Sequence, residues 1–211
     1  MQNAAFAARG LDWTYVACEV EAEGLEAAVR GLGALGFRGA NVTAPYKLDA
    51  ARLVGADLES VNTLVFEGDS VRAYSTDAAI LSGLEFGRPA IVGDGGAARA
   101  FREALPGAPV YSRRGSWPPD VSEADLVVHA TSVRDEIVVE IRSGQTLVDL
   151  PYPDSATAAA GRASGARVLD GREVLVAQGA ASFELWTGVP PPVEVMRRAV
   201  GLTGAPPLHS G

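Results

Sequence analysis

The sequence predicts an α/β protein of two parts, and three observations carry that expectation. Segments with helical spacing of apolar residues alternate with short strand-like runs along most of the 211 residues. Five of those runs, between residues 90 and 169, are short and almost wholly apolar, as in a parallel sheet covered on both faces. A glycine-rich turn, Gly93-Asp94-Gly95-Gly96, stands between the first of them and a helical stretch.

Taken in order, residues 13–20 (Trp13 to Val20) read as a strand of aromatic and β-branched residues. Leu25, Val29, Leu32 and Leu35 then fall at helical spacing within 23–35, and Gly36 ends that helix. Gly39 to Thr43 reads as a second strand, and a short helix follows. Val61–Phe66 and Val71–Tyr74 form a hairpin around Glu67-Gly68-Asp69. The pattern breaks at 84–89, where a boundary is expected. Beyond it come the five apolar runs: 90–92, 109–111, 126–129, 146–150 and 166–169. A helix is expected over Glu173–Trp186, a final short one over Glu194–Val200, and a loose polar tail from Gly204.

Composition narrows the function. The apolar set makes up 47 % of the chain and the net charge is −8. A net-acidic chain whose arginines are scattered singly lacks the basic face that a nucleic-acid backbone needs, so a small anionic ligand fits better. No run approaches the roughly 20 apolar residues of a membrane span, and the opening Met1–Phe6 has no basic or long apolar region of a signal peptide. One cysteine, Cys18, and two distant histidines supply no metal-ligand spacing, and a lone cysteine suits a reducing cytoplasm. Of 18 basic residues, only Lys47 is lysine; the other 17 are arginine.

Two features carry chemistry. In the glycine turn, small residues let backbone N–H groups approach a pyrophosphate at the positive end of a helix. A ligand-free turn remains the alternative here, and Asp94 would repel a phosphate unless it points away. No acidic residue ends the next strand; Tyr111-Ser112-Arg113-Arg114 does, and a guanidinium fork suits a ribose 2′-phosphate, hence NADP. The second feature is Asn41-Val42-Thr43-Ala44-Pro45-Tyr46-Lys47. It places two hydrogen-bonding side chains at a strand end and a lysine in the first turn of a helix, where a cation is electrostatically misplaced. A lysine can release and regain a proton, which arginine cannot; a solvated surface lysine is the alternative.

This heptad resembles the N-V-T-x-P-x-K motif of the shikimate dehydrogenases, and further matches follow in family order. Met1–Phe6 resembles M-H-N-A-A-F, Val61-Asn62-Thr63 resembles A-V-N-T, and Ser75-Thr76-Asp77 resembles N-T-D-G. Gly93–Ala100 resembles G-A-G-G-A-x-R-A, Ser112–Arg114 resembles N-R-T, and Ala130–Val133 resembles N-T-T-P-x-G. Asp149–Tyr152 resembles D-x-x-Y, and Val174–Gln178 with Phe183–Gly188 resembles M-L-x-x-Q…F-x-x-W-T-G.

The resemblance implies an enzyme that reduces 3-dehydroshikimate to shikimate with NADPH in aromatic amino-acid biosynthesis. It implies Lys47 and Asp77 as the catalytic pair, and Asn41, Thr43, Asn62 and Gln178 as ligands of the substrate hydroxyls. Gly93, Gly95, Gly96, Ala97 and Arg113 would hold NADP, and no metal is implied. The implied fold is an N-terminal α/β substrate-binding domain over 1–84, completed by C-terminal helices over about 178–203. A compact Rossmann-type NADP-binding domain over 85–177 and a loose tail over 204–211 make up the rest. Residue by residue, an N-cap role is the alternative for Asp77, and cap or turn roles for the other polar residues.

Several departures set further expectations. The stretch G-x-P-x-x-H-S-x-S-P that precedes M-H-N-A-A-F in the family has no counterpart, so either the protein starts upstream of Met1 or it is a truncated relative. The segments between Lys47 and Asn62 and between Arg114 and Ala124 are short, and the second leaves no room for the usual helix. His129, in place of the family's Asn, reads as a satisfied residue at a strand end. A non-catalytic NADP- or shikimate-binding relative and a quinate-accepting variant stay open, as do monomer and homodimer.

Overall fold

A computed structural model describes residues 1–58, 60–68 and 70–204. Glu59, Asp69 of the expected hairpin turn, and all of the expected tail beyond Gly204 lie outside the described residues. The chain divides into two compact units, Met1–Thr76 with Gln178–Ala199, and Asp77–Ala177 with Val200 onward.

The first unit contains helices α1 (Gln2–Ala8), α2 (Leu25–Ala34) and α3 (Lys47–Leu53) and strands β1 (Gly39–Asn41), β2 (Thr63–Glu67) and β3 (Ser70–Tyr74). The three strands form an antiparallel sheet in the order β1-β2-β3. The helical spacing read in the sequence puts Val29 of α2 in a core with Ala50, Ala51, Val61, Leu64 and Phe66. Close approach is enforced at Gly39, where a Cβ would stand 2.1 Å from the Trp186 indole nitrogen. That nitrogen donates to Leu64 O at 2.9 Å.

Residues 13–20, expected as a strand, have no regular structure. A strand needs a ladder partner, and β1 is paired with β2 alone. The backbone of Tyr15 is satisfied by a side chain instead: its N–H donates to Asn3 Oδ1 at 2.6 Å and its carbonyl accepts from Asn3 Nδ2 at 2.9 Å.

The second unit holds a five-stranded parallel sheet of β4 (Pro89–Val92), β5 (Val110–Tyr111), β6 (Leu126–His129), β7 (Thr146–Asp149) and β8 (Arg167–Leu169). Its order is β5-β4-β6-β7-β8. Successive side chains go to opposite faces. Ile91, Val128 and Val148 enter one core with Phe101 of α4 (Gly96–Ala104). Val92, Val127 and Leu147 enter the other with Ala158 of α5 (Ala156–Ala163). Sequence reading passed over α5, although Ser155 marks its start by accepting the Ala158 N–H. No helix forms between Arg114 and Ala124.

The chain leaves β4 for β5 on one side and returns to β6 on the other, so the ends of β4 and β6 flank a topological switch point, where ligands of such sheets bind. Helix α6 (Gly171–Thr187) contributes residues to both units, and α7 (Val193–Ala199) packs against α1. Among the described residues, no helix is long and apolar enough to cross a membrane.

Asp125 aligns the start of the parallel sheet. Its carboxylate accepts the N–H groups of Gly87 at 2.8 Å and Arg88 at 2.9 Å, just ahead of β4. Desolvation pushes its pKa up, but the backbone donors of Arg88, Gly87 and Asp125 itself outweigh that and hold it below the ordinary aspartate value. A lowered folded-state pKa means stability that is present above the unfolded value and lost as pH falls through the folded one. Asp125→Ala should therefore cost about 1–2 kcal/mol in denaturant unfolding at neutral pH. The difference from wild type should begin to shrink below roughly pH 4, near the unfolded value, and vanish only once the pH has passed below the lowered folded-state value.

Candidate functional site

In the first unit, polar side chains that are remote in sequence converge on Asn62. Its backbone N–H donates to Tyr74 O at 3.1 Å, and its carbonyl accepts from Val42 N at 2.9 Å and Asn41 Nδ2 at 3.1 Å. The side-chain oxygen accepts the Thr76 N–H at 2.8 Å, and Nδ2 donates to Gln178 Oε1 at 3.3 Å. Asn62, Thr63 and Thr76 are all buried, and only a group with both a donor and an acceptor can serve these partners at once.

Asn41 joins the same cluster. Its Nδ2 also reaches Thr63 Oγ1 at 3.2 Å and Ser182 Oγ at 3.1 Å, while its Oδ1 accepts the Tyr15 hydroxyl at 3.0 Å. Desolvation of the Tyr15 phenol, with Cys18 as a second cause, holds its pKa above the usual tyrosine value, so this donor is kept across the physiological range. Ser182 Oγ lies 2.8 Å from Thr63 Oγ1 and donates to Gln178 O at 3.0 Å.

Lys47 is half-buried at the first position of α3, and its carbonyl accepts the Val61 N–H at 3.2 Å, which ties the helix to the approach to Asn62. Thr43 is exposed, and its carbonyl accepts Tyr46 N in the turn before α3. Asp77 is buried and follows Thr76 directly. The helix beyond it is a single 3-10 turn over Ala79–Leu81, with Ala78 as its N-cap residue. Sequence reading assigned no role to Tyr15, Thr63, Thr76 or Ser182. The available signal for Ser182 was its position four residues after Gln178, on the same helical face.

In the second unit, Gly93 has φ +127, and a Cβ there would stand 2.6 Å from Ala130 O, so neither the backbone nor the space admits a side chain. Gly95 is extended and precedes Gly96, the first residue of α4; a Cβ on either would meet nothing within 4 Å. Asp94, Gly95, Gly96 and Ala97 are exposed, and the N-cap of α4 is Gly95, which has no side chain to offer its N–H groups. This open, positive helix end is the environment that accepts a phosphate.

Arg113 lies two residues beyond β5. Its Nη2 stands 3.5 Å from Glu136 Oε2, and its guanidinium carbon 5.7 Å from the centre of the Trp117 ring.

His129 is a satisfied strand-end residue, as read. Its Nδ1 lies 2.6 Å from Asp149 Oδ1 and its Nε2 2.7 Å from Thr131 Oγ1. Ser155 Oγ donates to the same carboxylate oxygen at 2.9 Å. The group fixes Thr131, and so the loop against which Gly93 is pressed.

Two family models match the chain: the shikimate dehydrogenase substrate binding domain over residues 1–64, and the shikimate 5'-dehydrogenase C-terminal domain over 171–200. Shikimate dehydrogenase (NADP(+)) of Anaeromyxobacter sp. (strain Fw109-5) is 37 % identical, over 97 % of this chain and 91 % of its own length. The chain belongs to the shikimate dehydrogenase family. The enzyme of the same description from Moorella thermoacetica is 38 % identical, over 95 % of this chain and 86 % of its own length. Among solved structures, shikimate dehydrogenase from Aquifex aeolicus superposes with TM-score 0.81 at 27 % identity, covering 95 % of this chain and 91 % of that one. The Thermus thermophilus shikimate 5-dehydrogenase in complex with NADP(H) and shikimate gives TM-score 0.78 at 26 % identity, covering 94 % and 91 %.

Ser182→Ala removes a hydroxyl that serves both Asn41 and Thr63 inside the buried cluster. It should lower stability by about 1–2 kcal/mol, read as a fall in the thermal unfolding midpoint.

Proposed function

We propose that the chain catalyses the reversible NADPH-dependent reduction of 3-dehydroshikimate to shikimate. The observation that carries this reading is the convergence of Asn41, Asn62 and Gln178 on one hydrogen-bonded cluster, whose neighbour Val61 is bonded to the backbone of Lys47. A substrate rich in hydroxyl groups calls for such a set of amides and hydroxyls, because each can both donate and accept. Asn41, Thr43, Asn62 and Gln178 take the role of holding the substrate hydroxyls.

Lys47 donates a proton to the substrate carbonyl oxygen as that oxygen gains negative charge, and takes it back in the reverse direction. Asp77 keeps the lysine and the reacting hydroxyl in position. The residues of the second unit fit the cofactor: Gly93 leaves a tight turn, Gly95, Gly96 and Ala97 leave the end of α4 open, and Arg113 is exposed two residues beyond the neighbouring strand β5. When bound there, NADPH supplies the hydride. Arg113 faces the 2′-phosphate that distinguishes NADP from NAD. A cytoplasmic setting suits the lone, exposed Cys18.

Shikimate and NADP mixed with the purified protein should produce an absorbance rise at the NADPH band; a flat trace with intact fold would count against catalysis. Lys47→Ala should lower kcat by about 10²–10⁴-fold. Lys47→Arg should not restore it, since arginine keeps the charge but holds its proton. Arg113→Ala should raise KM for NADP at least tenfold and leave KM for NAD nearly unchanged, as compared by initial rates with each cofactor.

A further inference from the structure

Arg113 is already engaged. The turn that carries it is closed by two backbone hydrogen bonds, from Gly115 N to Ser112 O at 3.0 Å and from Ser112 N to Ser116 O at 3.1 Å. The chain thereby doubles back, and Trp117 comes to lie beside the guanidinium, within the roughly 6 Å over which a cation is attracted to an aromatic face. Glu136 approaches the same guanidinium from the segment after β6, with Oε2 3.5 Å from Nη2. Because β4 lies between β5 and β6, this ion pair joins the loops on either side of the strand that ends in the glycine turn. Both side chains are largely exposed, at 66 % and 72 %, so the pair is weak and open to exchange with a ligand.

We propose that Glu136 is a specificity-determining residue that competes with the cofactor's 2′-phosphate for Arg113, and so holds the NADP preference below what Arg113 alone would set. The inference rests on the reading of Arg113 given above. A phosphate monoester carries roughly two negative charges at neutral pH. To reach the guanidinium it must displace the carboxylate and then remain beside it, at the cost of like-charge repulsion. The 2′-hydroxyl of NAD meets no such repulsion, and a carboxylate at this place accepts a hydrogen bond from it. Glu136 thus penalises one cofactor and tolerates the other.

Calorimetric titration of the full-length protein with NADP and with NAD, independent of turnover, tests this. Glu136→Gln should tighten NADP binding about two- to fivefold, the range expected for an exposed ion pair, while NAD binding stays equal or weakens. In an Arg113→Ala background the same substitution should give a clearly smaller gain for NADP, because the competition for the guanidinium is gone and only the direct carboxylate–phosphate repulsion remains to be relieved. If Arg113→Ala weakens NADP but Glu136→Gln leaves both constants as in wild type, this inference alone is overturned. An equal gain with and without Arg113 would also overturn it, because the effect would not pass through the guanidinium. If Arg113→Ala binds NADP as tightly as wild type, or wild type binds neither dinucleotide, the reading of Arg113 fails and this inference with it.

Discussion

The carboxamide of Asn62 is the interaction on which the first unit's polar centre depends. It occupies the point where three strands and one helix meet in hydrogen bonding, accepting the Thr76 N–H at the exit of β3 and donating a hydrogen bond to Gln178 on α6. Asn41, at the end of β1, is held by the backbone carbonyl of the same residue. No ionised carboxylate could replace it, since it would have nothing to donate, and no hydroxyl has its span. Buried polar groups are costly unless satisfied, and here the satisfaction is mutual: each member of the cluster removes the desolvation penalty of another. The result is a set of amides and hydroxyls oriented before any ligand arrives, which lowers the entropy that binding must overcome.

The second unit solves a different problem with different means. Where the first unit gathers side chains, the glycine turn of the second withholds them. Gly93 is pressed against the Ala130 carbonyl, so the turn cannot widen, while Gly95 and Gly96 leave the first turn of α4 uncovered. What keeps that turn in register is a buried group one strand away. His129 and Asp149 are both fully buried, and through Thr131 they fix the loop on which Gly93 rests. The imidazole of His129 spans the gap between Asp149 and Thr131 with its two ring nitrogens.

Much of the fold was legible in the sequence because its periodicities are simple. The apolar runs at 90–92, 126–129 and 146–149 are strands of a parallel sheet with both faces buried, as the absence of alternating polar residues implies. Not every element was legible in the same way, and two show why. Residues 13–20 have strand composition but no strand, because a strand is a property of a pair and the partner edge is not supplied. Helix α5, built largely of alanine and small residues, carries little hydrophobic period, and its start is marked chiefly by Ser155.

The candidate site divides along the same line. The sequence by itself determined the chemical inventory: a single lysine among arginines, the amides at 41, 62 and 178, the glycine turn, and the arginine after the second strand of the parallel sheet. Residue type and local spacing decide these, because acidity, donor count and backbone freedom belong to the residue. Only the tertiary structure decided which groups share a hydrogen bond. Ser182 joins Thr63 across 119 positions, and Glu136 reaches Arg113 across 23. Contacts of that kind depend on sheet order and loop closure, which no local pattern encodes.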